Sequence, residues 1–247
     1  MATQKGIIPL VGTLGGINFY MRKGKPVARK AGGGFTPESH KKSKNMERVR
    51  ENNSEFGDCS RMKKRFKDCL LPYIGMQKDE DLQGRLMQLF LKIKDCDTTS
   101  ERGKRQVSLG LQHIEGKKLL TEFAFTSFNP DFSQGVYNAA TYTYSITNFD
   151  YRQLKYPNGA THLEIHLGVM VFDFEVLKAT LFSSDPISIA KGTPLTSFSL
   201  SPTDEPSGNG IKIAVLAYRY LQELNGEFYT LKDKVAYGLR VLGVGEL

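Results

Sequence analysis

The residues best suited to metal chemistry form the run from His162 to His166. His162, Glu164 and His166 alternate with Leu163 and Ile165. Such alternation is typical of a β-strand, where residues four apart are separated by about 13 Å. One metal ion cannot bridge that distance, because zinc–nitrogen bonds are only about 2 Å long. The sequence therefore favours a polar face of a strand over a metal site.

A carboxylate pair is the other arrangement that suggests chemistry. Asp173 and Glu175 occupy alternate positions, which would place them on one face of a strand. No arrangement of Ser, His and Asp or of Cys and His points to the same place. The N-terminal glycines match neither the P-loop pattern nor the dinucleotide-binding pattern. We therefore expect a protein that is not an enzyme and has neither a cofactor nor a metal site.

Three cysteines, Cys59, Cys69 and Cys96, are too few and too widely spaced for a disulfide framework. If Cys59 and Cys69 share one helix, about 15 Å of helical rise separates them, which exceeds the span of a disulfide. We expect all three to be reduced and to behave as small apolar residues.

Charge is distributed very unevenly along the 247 residues, whose net charge is +8. Residues 1–50 carry 11 Lys/Arg against 2 Asp/Glu, whereas residues 118–247 carry 10 against 13. Such asymmetry indicates an anionic partner or an acidic surface on a neighbouring copy. Neither a signal-peptide pattern nor a bilayer-length apolar run is present, so we expect cytoplasmic synthesis and no membrane partner.

The basic N-terminal region contains a glycine-rich segment, residues 10–35. Two apolar runs, Ile17 to Met21 and Pro26 to Ala28, flank a turn at Arg22 to Lys25, which predicts a β-hairpin. A two-stranded hairpin is marginal in water, so it must pack on something else. We therefore interpret residues 1–35 as a docking arm. Its predicted docking residues are Gly12, Gly15, Gly16, Phe19, Tyr20, Gly24, Gly32, Gly33 and Gly34.

The cations of this region allow a second interpretation. Interleaved with aromatic side chains, they have the composition of a surface that follows a phosphate backbone. Alternatively, these Lys and Arg side chains are solvated, or they pair with acidic side chains of a neighbouring subunit. No sequence-reading nucleic-acid motif is present. The predicted phosphate contacts are Arg22, Lys23, Lys25, Arg29, Lys30, Lys41 and Lys42.

Helical spacing follows from residue 36 to residue 117. Thr36 and Pro37 have the pattern of a helix start, and apolar residues at intervals of three and four predict helices over Asn45 to Leu71 and Asp79 to Lys94. A third, short helix is predicted to begin at Thr99 or Ser100. We expect 111–118 to be a connector.

From residue 118 onward the spacing becomes alternating. Seven to nine strands with Pro, Gly and Asn turns and no helices between them predict an antiparallel β-sandwich. The strongest hairpin signal is Asn225-Gly226. The fold class is therefore α+β: a glycine-rich hairpin arm (1–35), a helical segment (36–117) and a C-terminal antiparallel β-sandwich (118–247). The strands are predicted at 122–127, 141–146, 162–169, 179–182, 187–189, 195–200, 211–224, 227–231 and 235–241.

Several short motifs of the chain are distinctive. The arm has the pattern Gly12-x-x-Gly15-Gly16-x-x-Phe19-Tyr20, followed by Gly24-Lys25-x-x-Ala28-Arg29. Further stretches of this kind are Arg50-Glu-Asn-Asn-Ser-Glu-Phe-Gly57, Ser100-Glu-Arg-Gly-Lys-Arg105 and Gly159-Ala-Thr-His162. Together they resemble a group of bacterial and phage-encoded proteins that has no assigned activity. The resemblance transfers no catalytic residue, and its phage setting favours a structural role by association only.

Taken together, these patterns lead us to expect a structural subunit that self-assembles through its arm into a phage-like particle, tube or filament. Its partners would be other copies of itself and other particle proteins, and it would be incorporated in a virion. The alternative is a nucleic-acid-binding protein that uses the basic arm to contact phosphates.

Overall fold

The computed structural model describes residues 2–3, 10–32, 37–74, 79, 81–126, 130, 132–233 and 235–245. The chain divides into two compact units, residues 1–50 and 51–247, and each is described by itself below. The boundaries that the sequence suggests at residues 35 and 117 stay predictions.

The N-terminal unit contains a four-stranded antiparallel sheet. Its strands are ordered β1-β4-β3-β2, so the predicted hairpin is confirmed as β3–β4 and gains one strand on each side. The strands are β1 (Ala2–Thr3), β2 (Gly12–Leu14), β3 (Ile17–Arg22) and β4 (Lys25–Lys30).

Tight turns connect these strands. Lys23 and Gly24 join β3 to β4 with φ values of 49° and 74°. Gly15 and Gly16 join β2 to β3 with 56° and 75°. Two successive positive φ values are what a type I′ turn requires, and its twist matches that of the flanking strands. Glycine meets this requirement without a steric penalty.

A short helix, α1 (Pro37–Lys42), and one 3-10 turn (Lys44–Met46) complete the N-terminal unit. The guanidinium of Arg50 donates hydrogen bonds to the backbone oxygens of His40 and Ser43, at 2.8 and 2.9 Å. These bonds satisfy carbonyls near the end of α1 that have no partner within the helix.

The long helices occur close to where the spacing of apolar residues predicts them. The predicted helix over 45–71 is observed as α2, and the one over 79–94 as α4. Asp79 precedes α4, and its Oδ1 accepts hydrogen bonds from the backbone N–H groups of Asp81 and Leu82 at 2.9 and 3.0 Å. The helices are α2 (Glu47–Cys69), α3 (Leu71–Ile74), α4 (Leu82–Asp95), α5 (Val107–Gly110) and α6 (Ile114–Thr121).

The prediction of a helix beginning at Thr99 or Ser100 is wrong. The buried carboxylate of Asp97 accepts hydrogen bonds from the backbone N–H groups of Thr99, Ser100 and Gln106. These side-chain bonds replace the ladder of a helix and hold the segment as a loop.

The expected connector over 111–118 is also wrong, because α6 begins at Ile114. Glycine in a helix usually weakens it. Here a Cβ atom on Gly116 would lie 2.0 Å from the backbone oxygen of Gly110. The glycine is therefore required for close packing of two helices.

The first predicted strand, over 122–127, is not observed at residues 122–126, and residue 127 lies outside the described part of the chain. The Arg85 guanidinium donates to the carbonyl oxygens of Ala124 and Phe125, at 2.5 and 3.3 Å. Phe125 is fully buried. Side-chain bonding and burial thus stabilise an irregular segment whose alternation resembles that of a strand.

The remaining eight predicted strands are observed with shifts at their ends, the structure adds β5, which the sequence did not predict, and all pair in antiparallel fashion. One sheet has six strands, with β7 and β11 at its centre, and the other has the order β10-β6-β5. The strands are β5 (Val136–Asn138), β6 (Thr143–Thr147), β7 (His162–Asp173), β8 (Lys178–Ser183), β9 (Ile187–Ala190), β10 (Ser197–Leu200), β11 (Ile211–Leu224), β12 (Glu227–Thr230) and β13 (Tyr237–Val244).

The central strands of the six-stranded sheet, β7 and β11, are buried on both faces over most of their length. On one face, Val215 and Phe172 pack with helical residues such as Phe66. On the other, Leu216 and Tyr218 pack with residues of the three-stranded sheet. Because side chains alternate between faces, the central strands contribute to two apolar clusters at once.

A buried ion network in the C-terminal unit joins helix α2 to helix α4 and to the loop before α5. The carboxylate of Glu55 on α2 accepts from Lys94 Nζ at 2.6 Å, from the backbone N–H of Gly103 at 2.7 Å, and from Nε and Nη2 of Arg105, both at 2.9 Å. Burial raises the pKa of Glu55, but these donors outweigh it and hold the pKa at about 2. Residues 51–55 and 102–105, which belong to two of the resemblance motifs, meet at this network.

In the part of the chain that the structure describes, no helix combines the length and the apolar character needed to span a membrane.

Candidate docking surface of the N-terminal arm

The four-stranded sheet of the N-terminal unit, β1 to β4, which we call the arm sheet, has two chemically different faces. Side chains directly opposite each other in an antiparallel pair lie on the same face, and alternate residues of a strand lie on opposite faces. Phe19 lies opposite Ala28 and Gly12, and Tyr20 lies opposite Val27. Residues of odd number in β3 therefore share one face, and residues of even number share the other.

The first face is apolar, and we call it the apolar arm face. It is strongly exposed: Leu14, Ile17 and Met21 expose 71%, 42% and 46% of their surface. Contiguous exposed apolar surface on a protein usually marks a site of interaction. The members of the apolar arm face are Leu14, Ile17, Phe19, Met21, Pro26 and Ala28.

The second face is cationic, and we call it the basic arm face. Its cations are Arg22, Lys25 and Arg29, and they lie beside Tyr20. The Arg29 guanidinium carbon is 5.6 Å from the centre of the Tyr20 ring, which is within the range of a cation–π interaction. This face therefore combines positive charge with an aromatic ring.

The structure brings only part of the predicted phosphate contacts together. Lys23 lies in the turn between β3 and β4. Lys30 lies opposite Ile17, so its position is at the margin of the apolar arm face. Lys41 and Lys42 lie in the last turn of α1, which is a separate element. The basic arm face accordingly contains three of the seven predicted residues.

The predicted docking glycines serve mainly to shape the backbone. Gly12 lies in β2, Gly15, Gly16 and Gly24 make turns, and Gly32 follows β4 with a φ of 76°. Gly33 and Gly34 lie outside the described residues. Leu14, Ile17 and Met21 are missing from the predicted docking residues. The alternation of Ile17, Phe19 and Met21 in the sequence is the signal that could have identified them.

The arm sheet also has two open edges within the described residues. Strands β1 and β2 are its outermost members, and an edge strand offers unpaired backbone groups to another chain. Since all four strands are antiparallel, β1 and β2 run in opposite directions. The β2 edge of one sheet could therefore pair in antiparallel fashion with the β1 edge of an identical sheet in the same orientation.

The histidine-bearing strand has no geometry for a metal ion. His162 and His166 both lie on β7, as the alternation predicts. His166 Nε2 is 3.4 Å from Glu164 Oε2, while His162 Nδ1 is 3.8 Å from Glu223 Oε2. Among the described residues, no group of three or more His, Cys, Asp or Glu side chains could hold a metal.

The expected pairing of Asp173 with Glu175 on one strand face is wrong, because Glu175 follows the end of β7. Asp173 Oδ1 accepts hydrogen bonds from the backbone N–H groups of Glu175 and Val176, at 2.9 and 3.1 Å. The aspartate therefore stabilises the turn that leads to β8, as aspartates in turns commonly do.

Comparison with known proteins assigns no function to either arm face. The resemblance to bacterial and phage-encoded proteins stays a prediction. No protein-family model, no curated protein and no solved structure matches this chain.

Proposed function

We propose that this protein is a non-enzymatic structural subunit that self-assembles through its N-terminal arm. The observation that carries the proposal is the exposed apolar arm face. Burying apolar surface is favourable by about 25 cal/mol per Å². The free energy of the protein therefore falls when a second surface covers this face.

The occupant that we propose is a second copy of this chain. Its arm has the same apolar face and the same two edges. A second copy can therefore supply both an apolar surface and a strand edge for pairing, and no other protein is needed. Pairing of β2 in one copy with β1 in the next is heterologous. A heterologous contact repeats from copy to copy and forms rings or filaments, not closed dimers. This geometry supports assembly into a particle, tube or filament.

In this proposal, residues 51–247 are the rigid body that the arm connects. Within it, the sequence predicts an antiparallel β-sandwich over residues 118–247, and we propose that its two sheets form this sandwich. The helical layer supplies a lateral contact between copies. Other proteins of a phage-like particle, including a virion, are further partners in the proposal.

Self-assembly can be tested by sedimentation of the full chain over a range of concentrations. The test variant carries Ile17→Thr and Met21→Thr, which remove apolar surface from β3 and keep its strand propensity. The matched control carries Asn18→Thr and Arg22→Thr on the opposite face of the same strand. We expect large species for the unmodified chain and for the control, and mostly monomer for the test variant.

Two results would overturn the proposal. One is an unmodified chain that stays monomeric at every concentration, since the apolar arm face would then be covered within a single molecule. The other is equal assembly by the test variant and the control. Removal of residues 1–35 gives a third measurement, and unchanged oligomers after this removal would also count against the arm.

A second candidate function is the binding of nucleic acid by the basic arm face. The observation that favours it is the position of Arg29 over the Tyr20 ring, with Arg22 and Lys25 on the same face. Cations track a phosphate backbone, and an aromatic ring can stack on an unpaired base. Such binding would be insensitive to sequence and strongly dependent on salt.

This candidate is tested by titrating single-stranded DNA at about 50 and about 200 mM salt. The variant Arg22→Gln, Lys25→Gln and Arg29→Gln should lose binding, whereas the Ile17→Thr and Met21→Thr variant should retain it. An absence of binding at the lower salt concentration would remove the candidate.

A further inference from the structure

A cleft of about 790 Å³ opens in the C-terminal unit, far along the chain from the arm. It lies where the turn between β5 and β6 meets the beginning of β11 and the end of β13. Its lining includes Tyr137, Tyr142, Asn209, Lys212 and Leu242, together with four glycines. Its volume falls within the range of clefts that bind small molecules.

Lys212 gives the cleft its charge. Among the described residues that line the cleft, Lys212 is the only charged one. Its Nζ donates a hydrogen bond to the Tyr142 hydroxyl at 2.5 Å and lies 4.8 Å from the centre of that ring. In the described part of the chain no ion pair links Lys212 to an acidic side chain. An ammonium has three donors, so this group can still bind an anion.

Tyr142 is held in an unfavourable backbone conformation at the rim of the cleft. Its φ is 51°, which lies in the left-handed region that residues other than glycine seldom adopt. The Oδ1 atom of Asn138 accepts a hydrogen bond from the backbone N–H of Ala140 at 2.9 Å and so supports this turn. Strained residues of this kind cluster at ligand sites.

Gly210 lets the chain that enters β11 approach β7 closely at the cleft. A Cβ atom on Gly210 would lie 2.3 Å from the backbone oxygen of Phe172, so no side chain fits there. Tyr137 and Leu242 supply apolar surface to the cleft. Burial raises the pKa of Tyr137 to about 12, and its phenol therefore stays neutral at physiological pH.

We propose that this cleft binds a small organic anion whose carboxylate or phosphate group contacts Lys212. The planar or apolar body of the ligand lies against Tyr137, Tyr142 and Leu242. Lys212 is then the residue that selects for negative charge. The site is independent of the assembly that we propose for the arm.

The test uses the full chain and three probes: phenyl phosphate, phenylacetate and the neutral phenylacetamide. Binding is measured by calorimetry and by chemical-shift changes in a protein spectrum. We expect at least one anion to bind about tenfold or more tightly than the amide, which is the usual size of a hydrogen bond to a charged group. Which anion binds identifies the phosphate or the carboxylate as the preferred group.

Variants separate the site from the fold. Lys212→Met keeps the length of the side chain and should weaken anion binding about tenfold or more, whereas Lys191→Met, in an exposed turn, should leave it unchanged. Tyr142→Gly should raise the unfolding temperature, because glycine accepts the positive φ, and should weaken binding at the same time. The proposal is wrong if neither anion binds, if the amide binds equally well, or if Lys212→Met binds like the unmodified chain.

Discussion

At the scale of single residues, the Glu55 carboxylate shows how burial and charge combine in this protein. It is only 2% exposed, and it accepts hydrogen bonds from three different residues. A buried charge is tolerated only when its partners satisfy it fully. Lys94 lies on α4, whereas Gly103 and Arg105 lie in the loop before α5, so the carboxylate joins α2 to both of these elements.

Replacement of Glu55 by glutamine should destabilise the protein by about 3–5 kcal/mol, the usual cost of removing one partner from a buried ion pair. Lys94 and Arg105 would remain beside a neutral side chain. The free energy of unfolding in urea measures this effect. Glu51→Gln is the matched control on the same helix. Its carboxylate pairs at 3.4 Å with a half-exposed Arg102, so the loss should be below about 1 kcal/mol. Equal losses in the two variants would contradict this account.

The same carboxylate predicts an acid-dependent loss of stability. Its pKa is about 2 in the folded chain, against 4.5 for an unperturbed group. A lowered pKa adds stability that is complete above pH 4.5 and is lost as the pH falls towards 2. The stability difference between the unmodified chain and Glu55→Gln should therefore be constant from about pH 7 to 5 and shrink below that. A difference that does not change with pH would show that Glu55 does not titrate in this way.

At the scale of elements, the two glycines of α4 and α6 have opposite roles. Gly84 lies in α4, and a Cβ atom added there would meet no atom within 4 Å. Gly116 lies in α6, where the same atom would collide with the backbone of Gly110. The sequence alone gives both residues the same helix-weakening character, and only packing distinguishes them.

Substitution by alanine should consequently change stability in opposite directions. Gly84→Ala should stabilise the protein by about 0.5–1 kcal/mol, because alanine loses less backbone entropy in a helix. Gly116→Ala should destabilise it by about 1–3 kcal/mol through overpacking. Thermal unfolding of both variants measures the two effects. A stabilising Gly116→Ala would show that α5 and α6 do not pack closely.

At the scale of the whole molecule, the positive charge is concentrated in one of the two units. Residues 1–50 have 11 Lys/Arg against 2 Asp/Glu, whereas residues 51–247 have 23 against 24. The first unit therefore carries the basic excess and also the apolar arm face. Both proposed functions of the arm use the same small sheet, but they use opposite faces of it.

Salt should separate these two functions. Assembly through the apolar arm face should persist or increase when salt rises from about 50 to about 200 mM, because repulsion between basic arms is screened. Binding of DNA over the same range should fall steeply, since released counterions no longer favour it. Sedimentation and DNA titration of one preparation provide the comparison. Assembly that disappears with salt would point to ionic contacts between copies in place of apolar ones.

Periodicity in the sequence was sufficient to predict the long helices, most strands, and the hairpins at 22–25 and 225–226. Local alternation and turn residues dominate there, because neighbouring residues decide which backbone conformations are accessible. Patterns failed where distant atoms replaced local hydrogen bonds. The segment 122–126 alternates like a strand, yet Arg85 donates hydrogen bonds to the carbonyl oxygens of Ala124 and Phe125.

The sequence by itself determined the basic charge of the N-terminal region, the α+β content and the alternation that makes the arm amphipathic. Only the tertiary structure decided which cations of different strands share a face, because the pairing of β3 with β4 sets Arg22 opposite Lys25. It also decided that Tyr137, Tyr142 and Lys212 surround one cleft. Tyr137 and Tyr142 lie on β5 and in the turn that follows it, whereas Lys212 lies on β11 of the other sheet, 70 residues after Tyr142. Contact between the two sheets, which no local pattern encodes, brings them together.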